Sequence, residues 1–451
     1  MLENIFKLKE NKTTVSKELI AGLTTFMAMS YVIFVIPSIL SATGMDYNAV
    51  YGATILASVL GTLIIGIFAN VPYAQSAGIG LASLFTYTIC GTLGYTWQEA
   101  LAMIFICSII NIIVTLTSIR KKIIESIPES LQEAITVGIG LFIAYIGLTN
   151  AGLISFGASE VVNGFATDVV PQVSSFSNSS VLLALIGLIL TIILVVKKIK
   201  GAYIISIILT TLIGVPLGVT GIPDFSNYVI LPDISPIFMH MDFLGLFSAK
   251  SSILIVIMTI FTMCIADLFD SIGVFIGTGK KSGIFKSEEK GKVPKKLERA
   301  IVADNFGTIF ASIFGTSNVT TYVESSSGIE AGGRTGLTSV FVAILFLLSL
   351  VFSPLIKCVP MAAIAPVLIM VGASMLANVK KINFRDPSIA IPAFFMIIMM
   401  PLGYSISSGI QFGFITYVLT KVVLGKEKDV SVIIYIFTLL FILQYVIDVI
   451  L

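Results

Sequence analysis

The sequence is poor in charged side chains and in the side chains that do most enzyme chemistry. Charged residues make up 12% of the 451 residues, and there is one histidine, His240, and one tryptophan. Soluble domains carry about 25% charged residues, so an ordinary soluble globule is excluded. A single histidine in a polar connection leaves little for metal-dependent or nucleophilic catalysis, and we expect no enzyme.

Several recognisable site motifs are also absent. We find no His-Glu-x-x-His pair, no Gly-x-Ser-x-Gly elbow and no Gly-x-x-x-x-Gly-Lys phosphate loop, so we expect no metal and no cofactor. The net charge is only +2, without a basic face interleaved with aromatics, which argues against nucleic acid as a partner. The cysteines lack the spacing of a zinc site or a disulfide framework; they are Cys90, Cys107, Cys264 and Cys358.

Long apolar runs dominate the chain. The mean hydropathy is +1.03, and a bilayer span takes roughly 20 predominantly apolar residues. This pattern predicts an all-α polytopic membrane protein with fourteen spans in a lipid bilayer. The candidates are 19–40, 47–69, 73–93, 98–118, 130–150, 180–197, 201–221, 250–278, 299–316, 319–333, 335–356, 359–379, 387–403 and 407–424. A further apolar segment, 430–450, either crosses the membrane or lies along it.

The basic residues indicate an orientation. If the fourteen candidates all cross, every basic cluster falls on the side of the N-terminus, as the positive-inside rule requires of the cytoplasmic face. We therefore predict a multi-pass protein of the cell membrane with a cytoplasmic N-terminus. The polar connections 151–179 and 222–249 would then be external.

Two segments do not have the pattern of simple spans. Residues 72–80 and 316–328 combine small polar residues and glycine before a short helix-compatible stretch. Non-helical backbone at membrane depth is tolerated where it is buried in protein or lines a cavity, so each segment should be a short extended stretch followed by a half-helix. They are third in each group of seven spans, which indicates inverted repeats with a site at the midplane. The alternative is that these glycines only let helices pack closely.

Carboxylates inside apolar runs are the most informative candidates for chemistry. An Asp at a helix centre costs about 2.5–3.5 kcal/mol on insertion scales and is retained mainly for function. Asp267 and Asp270 are three apart on one predicted helix, and Glu324 lies in the second irregular segment. We expect Asp270 and Glu324 to face each other across a substrate cavity. Asp267 has the alternative of a structural role, as a partner to backbone or to a neighbouring helix.

Four stretches carry a resemblance to a known family. Residues 21–31, 267–273, 315–325 and 332–338 resemble the AzgA-like purine permeases of the nucleobase-cation symporter-2 family, and the likeness runs over essentially the whole chain. It implies two inverted seven-span repeats and proton-coupled uptake of hypoxanthine, guanine or adenine. In related permeases the acids that match Asp270 and Glu324 bind the base.

The same resemblance implies a division into a core and a gate domain. The core would comprise residues 1–118 (spans 1–4) and 250–356 (spans 8–11). The gate would comprise residues 119–249 (spans 5–7) and 357–451 (spans 12–14 with the C-terminal apolar segment). A homodimer is one arrangement that the sequence leaves open.

The third span departs from the family pattern. Family members usually read Ala-Pro-Gly-Met-Gly-Leu-Asn-Ala-Phe-Phe there, whereas residues 76–85 have Ala77, Ala82 and Leu84 in place of the proline, the asparagine and one phenylalanine. The loss of the asparagine removes an amide donor and acceptor, which Ser83 replaces only in part. The preferred base therefore stays open, as does a related non-purine heterocycle.

The candidate site follows from the shape of a neutral purine, which has edge donors and acceptors and two π faces. A carboxylate such as Glu324 can accept two N–H bonds, and an aromatic surface such as Phe26 or Phe85 can stack on the base. Thr321 completes the binding set, and Asp270, with Asp267 next in line, is the candidate for proton coupling. The alternatives are a channel, or an anion exchanger, whose site would favour helix N-termini and cations.

Overall fold

The computed structural model describes most of the chain. The described residues are 2–117, 127–158, 161–162, 165–166, 169–175, 178–221, 232–247, 253–282, 284–285, 294–352 and 358–450. Within these ranges the description does not include the side chains at 157–169, 268–270, 272–273, 276–282, 444 and 447–450.

Helices account for most of the described residues, and their order follows the predicted spans. The α-helices are α1 Leu2–Phe6, α2 Val15–Met29, α3 Val32–Leu40, α4 Tyr47–Ile64, α5 Ile79–Ser83, α6 Trp97–Leu116, α7 Glu129–Asn150, α8 Ser179–Val196, α9 Ala202–Gly214, α10 Ile253–Ser282, α11 Lys295–Phe314, α12 Ser325–Glu330, α13 Gly336–Ser349, α14 Met361–Met375, α15 Pro387–Leu402, α16 Ile406–Val423 and α17 Val432–Ile450. Ile65–Ala69 and Leu84–Thr92 are π-helical, and short 3₁₀ helices cover Ser41–Thr43, Gly245–Phe247, Leu350–Phe352, Leu376–Lys381 and Glu427–Asp429.

The apolar helices agree with a membrane protein. Seven helical stretches in the described part are long and apolar enough to cross a bilayer, and six shorter apolar helices accompany them. The seven are Val15–Thr43, Tyr47–Ala69, Trp97–Leu116, Glu129–Asn150, Ser179–Val196, Met361–Lys381 and Ile406–Val423. The mostly helical membrane class is thus confirmed, while the count of fourteen crossings stays a prediction.

Both irregular segments have the predicted form. Strand β1 (Gln75–Ala77) leads into α5, and a strand in the second segment (Val319–Thr321), which is β6 in chain order, leads into α12. The strands pair antiparallel, with Gln75 opposite Thr321 and Ala77 opposite Val319. The prediction of a short extended stretch followed by a short helix is confirmed in each segment. Because each strand satisfies the other's backbone, two non-helical stretches can be buried together.

Two helices support this strand pair from outside. The hydroxyl of Thr62 on α4 donates to the carbonyl of Gln75 at 3.1 Å and accepts from its N–H at 2.9 Å. The hydroxyl of Thr308 on α11 donates to the carbonyl of Val319 at 2.9 Å. A glycine precedes each threonine, and a Cβ on Gly61 or Gly307 would lie 3.0–3.1 Å from the Val319 side chain. The absence of side chains at these glycines lets both helices lie close to the strands.

The first predicted span is broken in the structure. The sequence pattern predicts one continuous segment over 19–40, but α2 ends at Met29 and α3 begins at Val32. At the junction the N–H groups of Ile33 and Phe34 donate to the carbonyls of Ser30 and Tyr31, three residues back, so the helix tightens over one turn. The break leaves Tyr31 between the two helices, with its ring turned inward and only 1% exposed.

Two regions differ from or add to the sequence prediction. The predicted external loop 151–179 contains four short strands, β2 Ile154–Ala158, β3 Val161–Val162, β4 Phe165–Ala166 and β5 Val169–Val173, paired as β2–β5 and β3–β4. Its β-branched and aromatic residues favour extended pairing.

The C-terminal apolar segment forms α17, which packs against α16 and α10.

Candidate functional site

A cavity of about 890 Å³ lies beside the β1–β6 pair, within the size range of about 300–1,000 Å³ usual for small-molecule sites. The segments that follow β1 and β6 line one side. Helix α14 with its 3₁₀ extension, and one face of α7, line the other. On α7 the lining residues recur every three or four positions, as one helical face does: Glu129, Gln132, Glu133, Thr136, Ile139 and Ile143.

Glu324 brings a carboxylate to this cavity. It directly precedes α12 and is one of the lining residues. The hydroxyl of Tyr31, which also lines the cavity, donates to Glu324 Oε1 at 2.7 Å. This length is typical of an O–H···O hydrogen bond. The bond joins the broken first helical stretch to the second irregular segment.

Thr321 lies at the cavity wall and belongs to a buried network. Its hydroxyl donates to Asp304 Oδ1 at 2.7 Å, and the same oxygen accepts from Gln75 Nε2 at 2.7 Å. Gln75 Nε2 also lies 3.2 Å from Thr321 Oγ1. Because Asp304 is on α11, one carboxylate oxygen connects this helix to β1 and to β6. The network fixes the strand ends from which the half-helices enter the cavity.

The two acids of α10, Asp267 and Asp270, are not described at the cavity as Glu324 is. Asp267 is 1% exposed, and its Oδ2 accepts from Asn111 Nδ2 on α6 at 2.8 Å. This bond agrees with the structural alternative for Asp267, a partner on a neighbouring helix. Asp270 is on the same helix, but its side chain lies outside the described residues. The expected juxtaposition of Asp270 and Glu324 therefore stays a prediction.

The third-segment candidates are buried behind the cavity wall. Ala82 and Phe85 are 0% exposed and Ser83 is 1% exposed; within the described part of the chain, the cavity is lined instead by neighbours such as Leu81 and Leu84. Phe26 is half-buried and packs edge-on against Phe346, with ring centroids 5.3 Å apart. Of the predicted binding residues with described side chains, Glu324 and Thr321 thus meet at the cavity.

Charged residues surround another part of the cavity. Lys381 Nζ lies 2.7 Å from Glu133 Oε1 and links the extension of α14 to α7. The guanidinium of Arg334 donates to the carbonyls of Ile329 and Gly333 at 2.6 and 2.7 Å. Such groups can attract and orient polar solutes at a cavity entrance.

Sequence reasoning missed two residues of this site. Asp304 lies in the candidate span 299–316, and the rule that selected Asp267, Asp270 and Glu324 would have selected it as well. Tyr31 had no comparable signal, since it is an uncharged residue within an apolar run. Neither its bond to Glu324 nor the link from Asp304 to Thr321 is visible before the chain is folded.

A polytopic helical protein with two strand-interrupted elements meeting beside one cavity has the architecture of a membrane transporter. Comparison with known proteins agrees with this class of protein and also identifies the family. The chain belongs to the xanthine/uracil permease family, a permease family whose model matches residues 16–412.

Several relatives match nearly the full length of the chain. The chain is 39% identical over 447 residues to the adenine permease AdeP of Escherichia coli, covering 99% of this chain and 96% of AdeP. It is 36% identical over 451 residues to the guanine/hypoxanthine permease PbuO of Bacillus subtilis, covering 98% of this chain and 99% of PbuO. Members of this family are transporters, so the expectation that the chain is not an enzyme is confirmed.

Solved structures share the fold at low sequence identity. The transmembrane domain of the cyanobacterial bicarbonate transporter BicA aligns with a TM-score of 0.60 and 14% identity, covering 89% of this chain and 97% of that domain. The murine Slc26a9 anion transporter in its inward-facing state aligns with a TM-score of 0.59 and 12% identity, covering 90% of this chain and 68% of that chain. At these identities the likeness concerns the fold alone.

Proposed function

We propose that this protein takes up purine nucleobases by proton-coupled secondary active transport, with alternating access to a site at Glu324. One observation carries the proposal: Glu324, oriented by Tyr31, lines a cavity large enough for a small heterocycle. The permease family and the adenine and guanine/hypoxanthine permeases among the relatives support the substrate class.

A carboxylate complements the edge of a neutral base. Its two oxygens offer about four lone-pair sites, which suits them to accept N–H groups of a purine. Thr321, on the same wall, donates its hydroxyl proton to Asp304, so its oxygen can serve a base only as an acceptor. Phe26, Ala82, Ser83 and Phe85 remain proposed contributors, and the buried state of the last three suggests that they shape the wall in this conformation.

We further propose that the fold consists of fourteen spans in two inverted seven-span repeats. The support is an internal correspondence: Gly61-Thr62 on α4 and Gly307-Thr308 on α11 each face the strand of the following element. The two strands also pair with each other. A two-fold relation between the halves accounts for both features.

In this architecture the core comprises residues 1–118 and 250–356, and the gate comprises residues 119–249 and 357–451. The strand pair belongs to the core, whereas α7 and α14 belong to the gate, so the cavity lies where the two would separate. Rocking of the core against the gate would alternate access. The N-terminus is proposed to be cytoplasmic and the protein to reside in the cell membrane, with the homodimer left to measurement.

Proton coupling is assigned to Asp270, with Asp267 next. A titrating acid near the substrate couples the two ligands because each changes the affinity of the other by the same factor. The bond from Asn111 gives Asp267 a structural partner, and this favours Asp270 for the coupling role.

Anion exchange is the second candidate function. Its support is the fold shared with a bicarbonate transporter and an anion transporter. An anion would meet Glu324 at the cavity wall, where like charges repel. This repulsion favours a neutral base over an anion.

The direct test is uptake into proteoliposomes of radiolabelled hypoxanthine, guanine and adenine, with and without an imposed proton gradient. Saturable accumulation that disappears when the gradient is dissipated is expected. Exchange of bicarbonate or chloride without purine uptake would favour the second candidate, and non-saturable flux would indicate a channel.

Glu324→Gln tests the site within the same assay. The amide keeps the shape but loses a charge-assisted acceptor, so the affinity should fall by about 10- to 100-fold. Glu99→Gln is the matched control, because Glu99 forms a capping box with Thr96 in which Gln is also accepted. Wild-type transport by Glu324→Gln would place the site elsewhere.

A further inference from the structure

Tyr31 occupies an unusual position for a buried tyrosine. It lies at the tightened turn between α2 and α3, with helical backbone angles of φ −60° and ψ −22°. The side chain is 1% exposed and still contributes to the cavity wall.

The hydroxyl of Tyr31 makes a directed contact with the proposed substrate acid. It donates to Glu324 Oε1 at 2.7 Å. The carboxylate of Glu324 does not cap α12, the helix that it precedes. Its orientation is therefore set at least in part by a side chain from a different element, 293 residues away in sequence.

The ring of Tyr31 has a second neighbour in a different part of the fold. It packs edge-on against Tyr203 of α9, with centroids 5.1 Å apart and an interplanar angle of 72°. Near this contact, a Cβ on Gly201 would lie 3.2 Å from the carbonyl of Met27. Thus α9, in the proposed gate, approaches the broken element of the proposed core where Tyr31 holds Glu324.

We infer that Tyr31 is a positioning residue for substrate, holding the Glu324 carboxylate in the orientation that accepts the N–H edge of a base. The inference rests on the proposed function. A carboxylate held in one orientation loses less conformational freedom when a ligand binds, which raises affinity without a new contact to the ligand. The ring contact with Tyr203 holds the donor in place.

Tyr31→Phe isolates this role, because it removes the hydroxyl and keeps the ring against Tyr203. We expect the KM and Kd for the preferred base to rise about tenfold, while Vmax at saturating base stays within about twofold. A residue needed only for folding would instead lower the yield, the thermal stability and Vmax, and leave KM unchanged.

Tyr51→Phe is the matched control. The hydroxyl of Tyr51 is also buried and donates to the carbonyl of Ser349 at 2.6 Å, between α4 and α13 and away from the cavity lining. This variant loses a comparable buried bond, so it should melt at a lower temperature while keeping the wild-type KM.

The outcomes separate the inference from the proposed function. If the wild type accumulates purine and Tyr31→Phe keeps the wild-type KM, the inference is wrong and the proposed function stands. A lower KM would also overturn it, because Tyr31 would then compete with the base for Glu324. If the wild type neither binds nor transports a purine, the proposed function fails and the inference fails with it.

Discussion

The buried carboxylate of Asp304 allows a sharp test of how the strand pair is held. Asp304 is 2% exposed, and its Oδ1 accepts from both Gln75 Nε2 and Thr321 Oγ1 at 2.7 Å. Asp304→Leu removes this acceptor and leaves two buried donors without it, at about 1–3 kcal/mol each. We expect the free energy of unfolding to fall by about 2–6 kcal/mol, toward the lower end because Gln75 keeps its bond to Thr321.

Asp304→Asn should be milder. Since both donors use the same oxygen, the amide oxygen of asparagine can take its place, and these two bonds then lose only their charge assistance. Charge-assisted bonds are roughly twice as strong as neutral ones, so we expect a loss of about 1–2 kcal/mol. The matched control is Asp46→Asn, since Asp46 caps α4 by accepting from the N–H of Ala49 at 2.8 Å and asparagine is an equally good cap.

The assay is thermal or denaturant unfolding of the purified protein in detergent, with purine affinity measured on the same samples. A double-mutant cycle adds the decisive comparison. Thr321→Val removes one donor and keeps its shape, but Asp304 and Thr321 are also both acceptors for the Gln75 amide. The cost of Asp304→Leu combined with Thr321→Val should therefore differ from the sum of the single variants by about 0.5–3 kcal/mol. Strict additivity, or an Asp304→Leu variant as stable as wild type, would refute the account of the network.

Three further outcomes are expected. Ala82→Asn should change the preference among hypoxanthine, guanine, adenine and uracil while uptake persists; an unchanged inhibition profile would mean that position 82 does not reach the substrate. Asp270→Asn should still bind and exchange base, but lose accumulation against a gradient and the pH dependence of affinity between about pH 5 and 8; a retained pH slope would shift the coupling role to Asp267. Gly336→Val should destabilise the protein by about 1–3 kcal/mol or more, because a Cβ there would overlap the backbone carbonyl of Gly66. Gly221→Ala should melt like wild type, since a Cβ there meets no atom of the described residues within 4 Å.

The two irregular segments show how much of the fold a local sequence pattern can predict. Small polar residues and glycines before a short apolar stretch were enough to predict an extended piece and a half-helix at 72–80 and 316–328, because non-helical backbone inside a membrane has few other arrangements. The loop 151–179 was a harder case. Its polar residues suggested a plain connection, whereas β-branched and aromatic residues within it form short strands, a propensity that depends strongly on context.

The candidate-site residues also fall into two groups, those that the sequence placed correctly at the cavity and those that it did not. Glu324 and Thr321 were predicted from the chemistry of the second irregular segment and the family resemblance, and both reach the cavity. Ala82 was selected by alignment to a family pattern and Phe85 as an aromatic surface for the base, and neither is among the described residues that line the cavity. Whether a side chain on a short helix points into a cavity or behind it depends on the rotation of that helix, which five residues of sequence do not specify.

The sequence by itself determined the membrane class, the order of apolar elements, the two interrupted segments and the family, because each depends on composition, periodicity or motifs that are local along the chain. Only the tertiary structure decided that Tyr31 reaches Glu324 and that Asp304 joins both strands. These contacts join residues far apart in sequence, 293 positions in the case of Tyr31 and Glu324. A hydrogen bond of 2.7 Å between such residues depends on how helices break, tilt and pack, and local patterns do not encode that geometry.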